Sequence, residues 1–373
     1  MSDSNASSVR GLVKVNDERI DGWIDFEVEN NTYASSDSFR VRFAANALPS
    51  DRAATWFSQQ QDMYVELFAG APAYPTNWTT ADISSWIYGQ VDNINHDPVS
   101  GTVEVSGRDL ARMLIDAKTT EKFQNKTSSQ IATILAARHG LTPQVTKTST
   151  LVGKYYAIDH DAMNNARTEW DLLCYLARIE QFVVYVRGKT LYYQPRPDPT
   201  KTTPYRIRWT PPDAHNGSPT CNVEGLKFSR TLTVSRGVYV QVRSFNDVDQ
   251  RAYTATYPTS ASKKSTAPGT VGSSGDAQTY FYSIPNLTQQ QCVQMAQAKY
   301  QEIVKHEVRA EFELPAAGND GLGTTSIIEI LGTGTAHDQL YYPESITREL
   351  SFLNGYRMTV CAKNHAPDSL AQG

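Results

Sequence analysis

SFRVRFA, residues 38–44, and HEVRAEFEL, residues 306–314, stand near opposite ends of the chain and share one rhythm. Phe39, Val41 and Phe43 alternate with Arg40 and Arg42. Val308, Ala310, Phe312 and Leu314 alternate with Arg309, Glu311 and Glu313. Successive side chains of a strand point to opposite faces, so this period of two predicts strands with one buried and one solvated face. The neighbourhoods match as well. DMYVELF (62–68) follows the first, with Met63, Val65 and Leu67 in step, and SIIEIL (326–331) follows the second. IYGQVDNIN (87–95), the turn DPVSG (97–101) and TVEVSG (102–107) predict a hairpin punctuated by Pro98 and Gly101. YYPESITRELS (341–351), the turn FLNGY (352–356) and RMTVCAK (357–363) repeat it. Four extended elements thus recur in one order. Two readings stay open, a duplicated β-barrel or a chance likeness between two β segments, and the duplication is the one adopted.

Between the two copies the period changes. KTSSQIATILAARHGL (126–141) predicts a helix with Thr127 and Gln130 as a capping box, Gly140 at its C-terminal end, and Ile131, Ile134 and Leu135 as its apolar stripe. TEWDLLCYLARIEQFVVYVRGKTLYYQP (168–195) predicts a second helix, capped by Thr168 with Asp171 and buried through Leu172, Leu173, Leu176 and Ile179. It runs into a hairpin turned at Arg187-Gly188-Lys189. PRPDPTKTTP (195–204) ends this unit. Beyond it, EGLKFSRTLTV (224–234) and GVYVQVRSF (237–245) read as strands, and Thr288 with Gln291 opens another capped helix. The expected fold class is mainly β with an α+β insertion: two similar antiparallel β-barrels and a small αβ domain. Residues 1–116 form the first barrel, 117–215 the αβ insertion, and 216–373 the second barrel. The second barrel is expected to carry a mobile polar loop near 255–279 and a helix near 288–305.

The 373 residues are too many for one ordinary core, and 40% hydrophobic with 20% charged residues describes a globular chain. Twenty Tyr, 12 Phe and 6 Trp favour strands over helices. A net charge of −4 argues against a duplex-DNA binder, which needs a basic face. Cys174, Cys221, Cys292 and Cys361 form no CxxC pair and are expected as free, buried thiols. MSDSNASSVRG lacks a basic stretch leading into an apolar run, and no apolar window reaches the length of a membrane span. Folding in a cytoplasm is the expectation.

Candidate chemistry is sparse. Asp159-His160-Asp161 places a histidine between carboxylates, but neighbours on an extended chain face apart and do not converge on one ion. The other six histidines, at 96, 139, 215, 306, 337 and 365, show no HxH or HxxxH spacing. LGTGT (331–335) lacks the third glycine and the helix of a dinucleotide fingerprint. SSQIATILAARHGLT looks like the first half of a helix-turn-helix, but TPQVTKTSTLV after it has no helical period. No nucleophile elbow or P-loop is present. No catalytic, cofactor-binding or metal-ligating residue is therefore assigned, no cofactor is expected, and the chain is not read as an enzyme.

SGRDLARMLIDA (106–117), the helix KTSSQIATILAARHGL and EWDLLCYLARIEQFVVYVRGKTLYYQP carry a resemblance. Together with QMAQAKY (294–300) and YYPESITRELSFLNGYRMTV (341–360), they make residues 10–365 resemble the late control protein D family. These are the baseplate hub proteins of tailed phages, similar to the hub half of type VI secretion spike proteins. The chain departs from the family at Gln181, where glycine is usual, so Gln181 is expected to take a left-handed conformation. The polar loop near 255–279 also looks longer than usual.

The resemblance implies tail-tube-like barrels and a homotrimer, a structural ring that adapts a sixfold tail tube to a threefold spike. Its channel would pass tape measure protein and DNA. Partners implied are the tube protein or its initiator above, the trimeric spike below, and baseplate wedge proteins outside, with no specific nucleic-acid binding and no membrane. The implied location is the virion tail baseplate, assembled in the host cytoplasm. The alternatives are a cell-wall hydrolase or glycan-binding tail protein, and the hub of a contractile secretion or injection machine.

Overall fold

A computed structural model describes residues 9–364, apart from 75, 120, 122, 124, 150, 152–166, 197–200, 202, 213–216, 232–237, 247–249, 260–277, 286, 305–307 and 316–320. The first β region holds β1 (Arg10–Val15), β2 (Glu18–Arg19), β3 (Trp23–Asn31), β4 (Ser38–Ala44), α1 (Ala54–Ser58), β5 (Tyr64–Gly70), β6 (Ser84–Asp97) and β7 (Thr102–Asp109). Its strands lie in the order β2-β1-β5-β6-β7-β4-β3, every pair antiparallel. The alternation in SFRVRFA is realised: Phe39, Val41 and Phe43 are buried, while Arg40 and Arg42 reach solvent.

The αβ unit follows: α2 (Ala111–Asp116), β8 (Lys118–Thr119), α3 (Ser128–Arg138), β9 (Thr142–Val145), β10 (Arg167–Thr168), α4 (Glu169–Glu180), β11 (Phe182–Arg187) and β12 (Thr190–Pro195). The caps form as the residue types dictate. Thr127 Oγ1 accepts from Gln130 N while Gln130 Oε1 accepts from Thr127 N, and Thr168 Oγ1 accepts from Asp171 N. Gln181 ends α4 in the left-handed region at φ 57°. Arg187 pairs with Thr190, so Gly188 and Lys189 make the turn, with Gly188 at φ 57°. β9 adds parallel to β12, and α3, α4 and this sheet enclose a core through Ile131, Leu135, Leu172, Leu173, Leu176 and Leu191. Ile134 of the expected stripe is half-buried, and the side chain of Ile179 lies outside the described residues.

The second β region holds β13 (Tyr205–Thr210), β14 (Thr220–Cys221), β15 (Glu224–Arg230), β19 (Val308–Pro315), β20 (Ile328–Leu331), β21 (Leu340–Ser351) and β22 (Gly355–Lys363). Their order, β14-β13-β20-β21-β22-β19-β15, repeats that of the first region strand for strand. The register repeats too. Val105 faces Val41 and Ile94, and Val360 faces Phe312 and Ile346. β6 bulges between Val91 and Asn93, and β21 bulges between Pro343 and Ser345. At each bulge the extra residue is a carboxylate held by a base on the next strand: Asp92 by Arg108 at 2.7 Å, and Glu344 by Lys363. One strand breaks the pattern. β1 is antiparallel to β5, but β13 is parallel to β20.

The pairing redraws the expected domain boundaries. β13 at 205–210 belongs with the second β region, not with the insertion assigned to 117–215. Within 216–373, a second αβ unit stands apart: β16 (Val238–Asn246), β17 (Arg251–Tyr257), β18 (Gln278–Ser283) and α5 (Gln289–Val304). Its sheet runs β17-β16-β18 and its core, around Val240, Val242, Cys292, Ala296 and Tyr300, is its own. Residues 255–257 of the expected loop are strand, and 260–277 lie outside the described residues. The α5 cap forms as expected, with Gln291 Oε1 accepting from Thr288 N.

The two β regions are not separate bodies. β3 pairs with β4 on one edge and with β21 on the other, from Asp25 opposite Ser351 to Asn31 opposite Ser345. One continuous sheet results, and one core runs from Val13 through Phe26, Phe43 and Phe312 to Ala362. Each large aliphatic or aromatic side chain buried there contributes roughly 1.5–3 kcal/mol. Among the described residues the ladders close neither region on itself; the β3–β21 seam takes that edge instead.

Candidate assembly surface

Burying one face of the joined sheet leaves the other to solvent, and alternation makes that face polar over β6-β7-β4-β3-β21-β22-β19-β15. Its charges meet across strands. Arg40 lies within 3.4 Å of Asp25, Glu27 and Glu104. Arg42 grips Asp25 through two nitrogens, and that hydrogen bond raises the Arg42 pKa above its usual value. One register row reads Ser106, Arg40, Glu27, Glu349 and Arg357. Another reads Cys361, Glu311 and Lys227. Arg309 donates to Cys361 Sγ at 3.0 Å, which likewise raises the arginine pKa. Three of the four charged pairs in these rows are of opposite sign, so these rows mix charges instead of carrying one sign.

The αβ unit docks where β3 turns into β4. Ala34 N donates to Val184 O at 2.9 Å, Trp170 Nε1 donates to Ala34 O at 3.4 Å, and Tyr33 packs against Tyr185. Beneath this turn lies an acid network. Asp37 accepts from Asn31 N at 2.7 Å and from Asn30 Nδ2 at 2.8 Å; Asp109 accepts from Ser36 Oγ at 2.6 Å and from Ala111 N at 3.1 Å. Burial raises both carboxyls, and the charge of Asp37 adds to the rise at Asp109, which is pushed up to about 7. Asn30 also accepts from Arg348, which donates in addition to Leu322 O at 2.6 Å. The network thus ties both β regions to the αβ unit. A second knot holds α3 to α4: Glu169, almost fully buried, takes hydrogen bonds from Arg138 and His139, and Arg138 also reaches Glu121. No sequence pattern marks either network.

The motifs that invite chemistry resolve into local structure. Asp338 is gripped by Thr333 N at 3.0 Å and Gly334 N at 2.9 Å, so the LGTGT turn spends its amides on the chain's own carboxylate. Burial alone would raise the Asp338 pKa, but these bonds hold it below the usual range. α3 leads into strand β9, not into a recognition helix. His96 is exposed on β6, His139 bonds Glu169, and His337 stacks on Phe228 at 4.5 Å. The Asp159-His160-Asp161 stretch and the histidines at 215, 306 and 365 lie outside the described residues. All four cysteines are free; Cys174 and Cys292 are buried, while Cys221 and Cys361 are only partly so. Burial pushes the Cys174 thiol up to about 12. No helix among the described residues is long and apolar enough to cross a membrane.

No protein-family model matches the chain, and neither does any curated protein. Solved structures do. A tail protein from Neisseria meningitidis MC58 superposes with a TM-score of 0.64 at 14% identity, covering 95% of this chain and 96% of that one. The 43 kDa tail protein of prophage MuSo2 from Shewanella oneidensis gives 0.64 at 16%, covering 97% and 99%. The E. coli c3393 protein, a component of the type VI secretion system, gives 0.50 at 9%, covering 95% and 77%. Across nearly its whole length the chain shares the overall fold of these tail proteins.

Proposed function

We propose that the protein is the structural hub of a tailed-phage baseplate. Three chains form a ring that adapts a sixfold tail tube above to a threefold spike below, with a channel for tape measure protein and DNA. The observation that carries this reading is the duplication: a chain with two equivalent β regions presents threefold symmetry by chain and near-sixfold symmetry by region. The mixed-sign polar face suits a channel wall, because a wall without a basic stripe lets DNA pass without holding it. The αβ units then serve as scaffold facing other baseplate proteins, and the role is assembly, not catalysis. Likeness to a type VI secretion component favours one second reading, the hub of a contractile secretion machine, which places the same ring in a different particle.

The mass of the purified protein in solution tests the ring. Three chains are expected, and a monomer at every accessible concentration overturns the reading. Clearing of purified peptidoglycan by the pure protein, abolished by one carboxylate substitution, overturns the non-enzymatic part.

A further inference from the structure

The ladders β4-β7-β6 and β19-β22-β21 match residue by residue, yet corresponding edges of the two regions are treated differently. In the first region the outer edge of β3 is covered by β21 of the second. The equivalent of β3 is β15, and the equivalent of β21 is β6. Among the described residues β15 pairs only with β19, so its second edge carries no strand. β6 pairs with β5 up to Gln90 and with β7 along its other edge, so residues 93–97 leave the β5-side edge open. In β21 that same edge, beyond its short ladder with β20, is where β3 sits. The side chains agree. Val28 and Ile346 at the seam are 0% exposed, whereas their equivalents Phe228 and Ile94 are only partly buried against the same core. Open strand edges of this kind are templates for another strand.

We propose that a second copy of this chain fills this gap: β15 of one copy adds, antiparallel, to residues 93–97 of β6 in the next, repeating the β3–β21 seam between chains. The inference rests on the ring-forming reading and names the surface that joins its members. The register follows from the internal seam. There, Glu27 faces Glu349, Val28 faces Arg348 and Glu29 faces Thr347. Substituting equivalents through β4/β19 and β7/β22 places Lys227 opposite Asp97, Phe228 opposite His96 and Ser229 opposite Asn95. The like-charged pair of the internal seam becomes an opposite-charged pair between copies, which favours this partner over a random edge. Lys227 and Asp97 are both exposed in the single chain. The contact is heterologous, since each copy gives one edge and receives on another, so addition continues until a ring closes.

Disulfide trapping in the full-length protein tests the seam. The double variant Ser229→Cys/Asn95→Cys, and separately Lys227→Cys/Asp97→Cys, is oxidised beside each single variant, which sets the background from the four native cysteines. Reducible dimers and trimers well above that background are expected for both pairs. The off-register pair Ser229→Cys/Asp97→Cys is expected to stay at background. No excess cross-link in a protein whose native mass is oligomeric overturns this seam and leaves the hub reading standing. Preferential cross-linking of the off-register pair overturns the register. A native protein that is monomeric throughout removes the hub reading itself.

Discussion

The first β region ends its seventh strand on Asp109, Asn364 directly follows the last strand of the second, and the two residues hold the same place. Asp109 N donates to Asp37 O at 3.0 Å; Asn364 N donates to Val308 O at 3.2 Å, Val308 being the equivalent of Asp37. Both side chains are buried. The amide also accepts from Val308 N. The carboxylate instead meets Ser36 and Ala111, beside a second, partly buried carboxylate at Asp37. The repeated backbone therefore tolerates either group, and the neighbour decides its cost. In the first region the chain runs on into α2 and the αβ unit, and Ala111 N at the start of that helix needs an acceptor. Bulges, ladder order and core positions survive duplication because they set the sheet's geometry. The groups that diverged are those meeting parts of the molecule that only one copy touches.

If the two regions share one core across the β3–β21 seam, damage in one is felt in both. Phe312→Ala removes a ring that is 1% exposed from the joint cluster. It is expected to cost about 3–5 kcal/mol. Calorimetry should show the whole β core melting earlier in one transition; a first region that keeps its own unshifted transition breaks the comparison.

The Asp109/Asn364 difference gives the next effect. With its folded pKa near 7 against a usual value of 3.8, Asp109 holds a proton in the folded state that the unfolded chain has released between those pH values. Stability from this group therefore falls as pH rises from about 4 to 7 and stays lower above that. Asp109→Asn makes the first region resemble the second, and the amide oxygen can keep the bonds from Ser36 and Ala111. It is expected to stabilise the protein at pH 8 by on the order of 1–3 kcal/mol and to flatten that fall. Denaturant midpoints measured at pH 5 and pH 8 check it, and an unchanged pH dependence counts against the buried carboxylate.

The smallest effect lies at the two bulges. Asp92 is held by Arg108 and also by Arg112 at 2.6 Å, whereas Glu344 is held by Lys363. Asp92→Ala and Glu344→Ala are each expected to cost about 1 kcal/mol, the former more because it leaves two bases without their partner, since these pairs are only partly shielded from solvent. Equal thermal shifts would sharpen the equivalence, and a cost at only one bulge would limit it to backbone.

Periodicity and end signals were enough for part of this protein. SFRVRFA and HEVRAEFEL declared their buried faces, and Thr127, Thr168 and Thr288 declared helix starts; the left-handed stop at Gln181 was implied only by the family resemblance. These are local properties, fixed by side chains a few residues apart. The tertiary structure alone decided that β3 seals against β21, that β13 runs parallel to β20, and that β16, β17, β18 and α5 pack on a core of their own. Strand pairing is made by backbone groups every residue carries, so the partner of an edge is chosen by the shape and burial of distant segments, not by a local code. An apolar stripe likewise says that a face is buried without saying against what. Asp109 and Asp37 are illegible in the sequence for the same reason: a lone carboxylate at a strand end looks solvated until another part of the chain covers it.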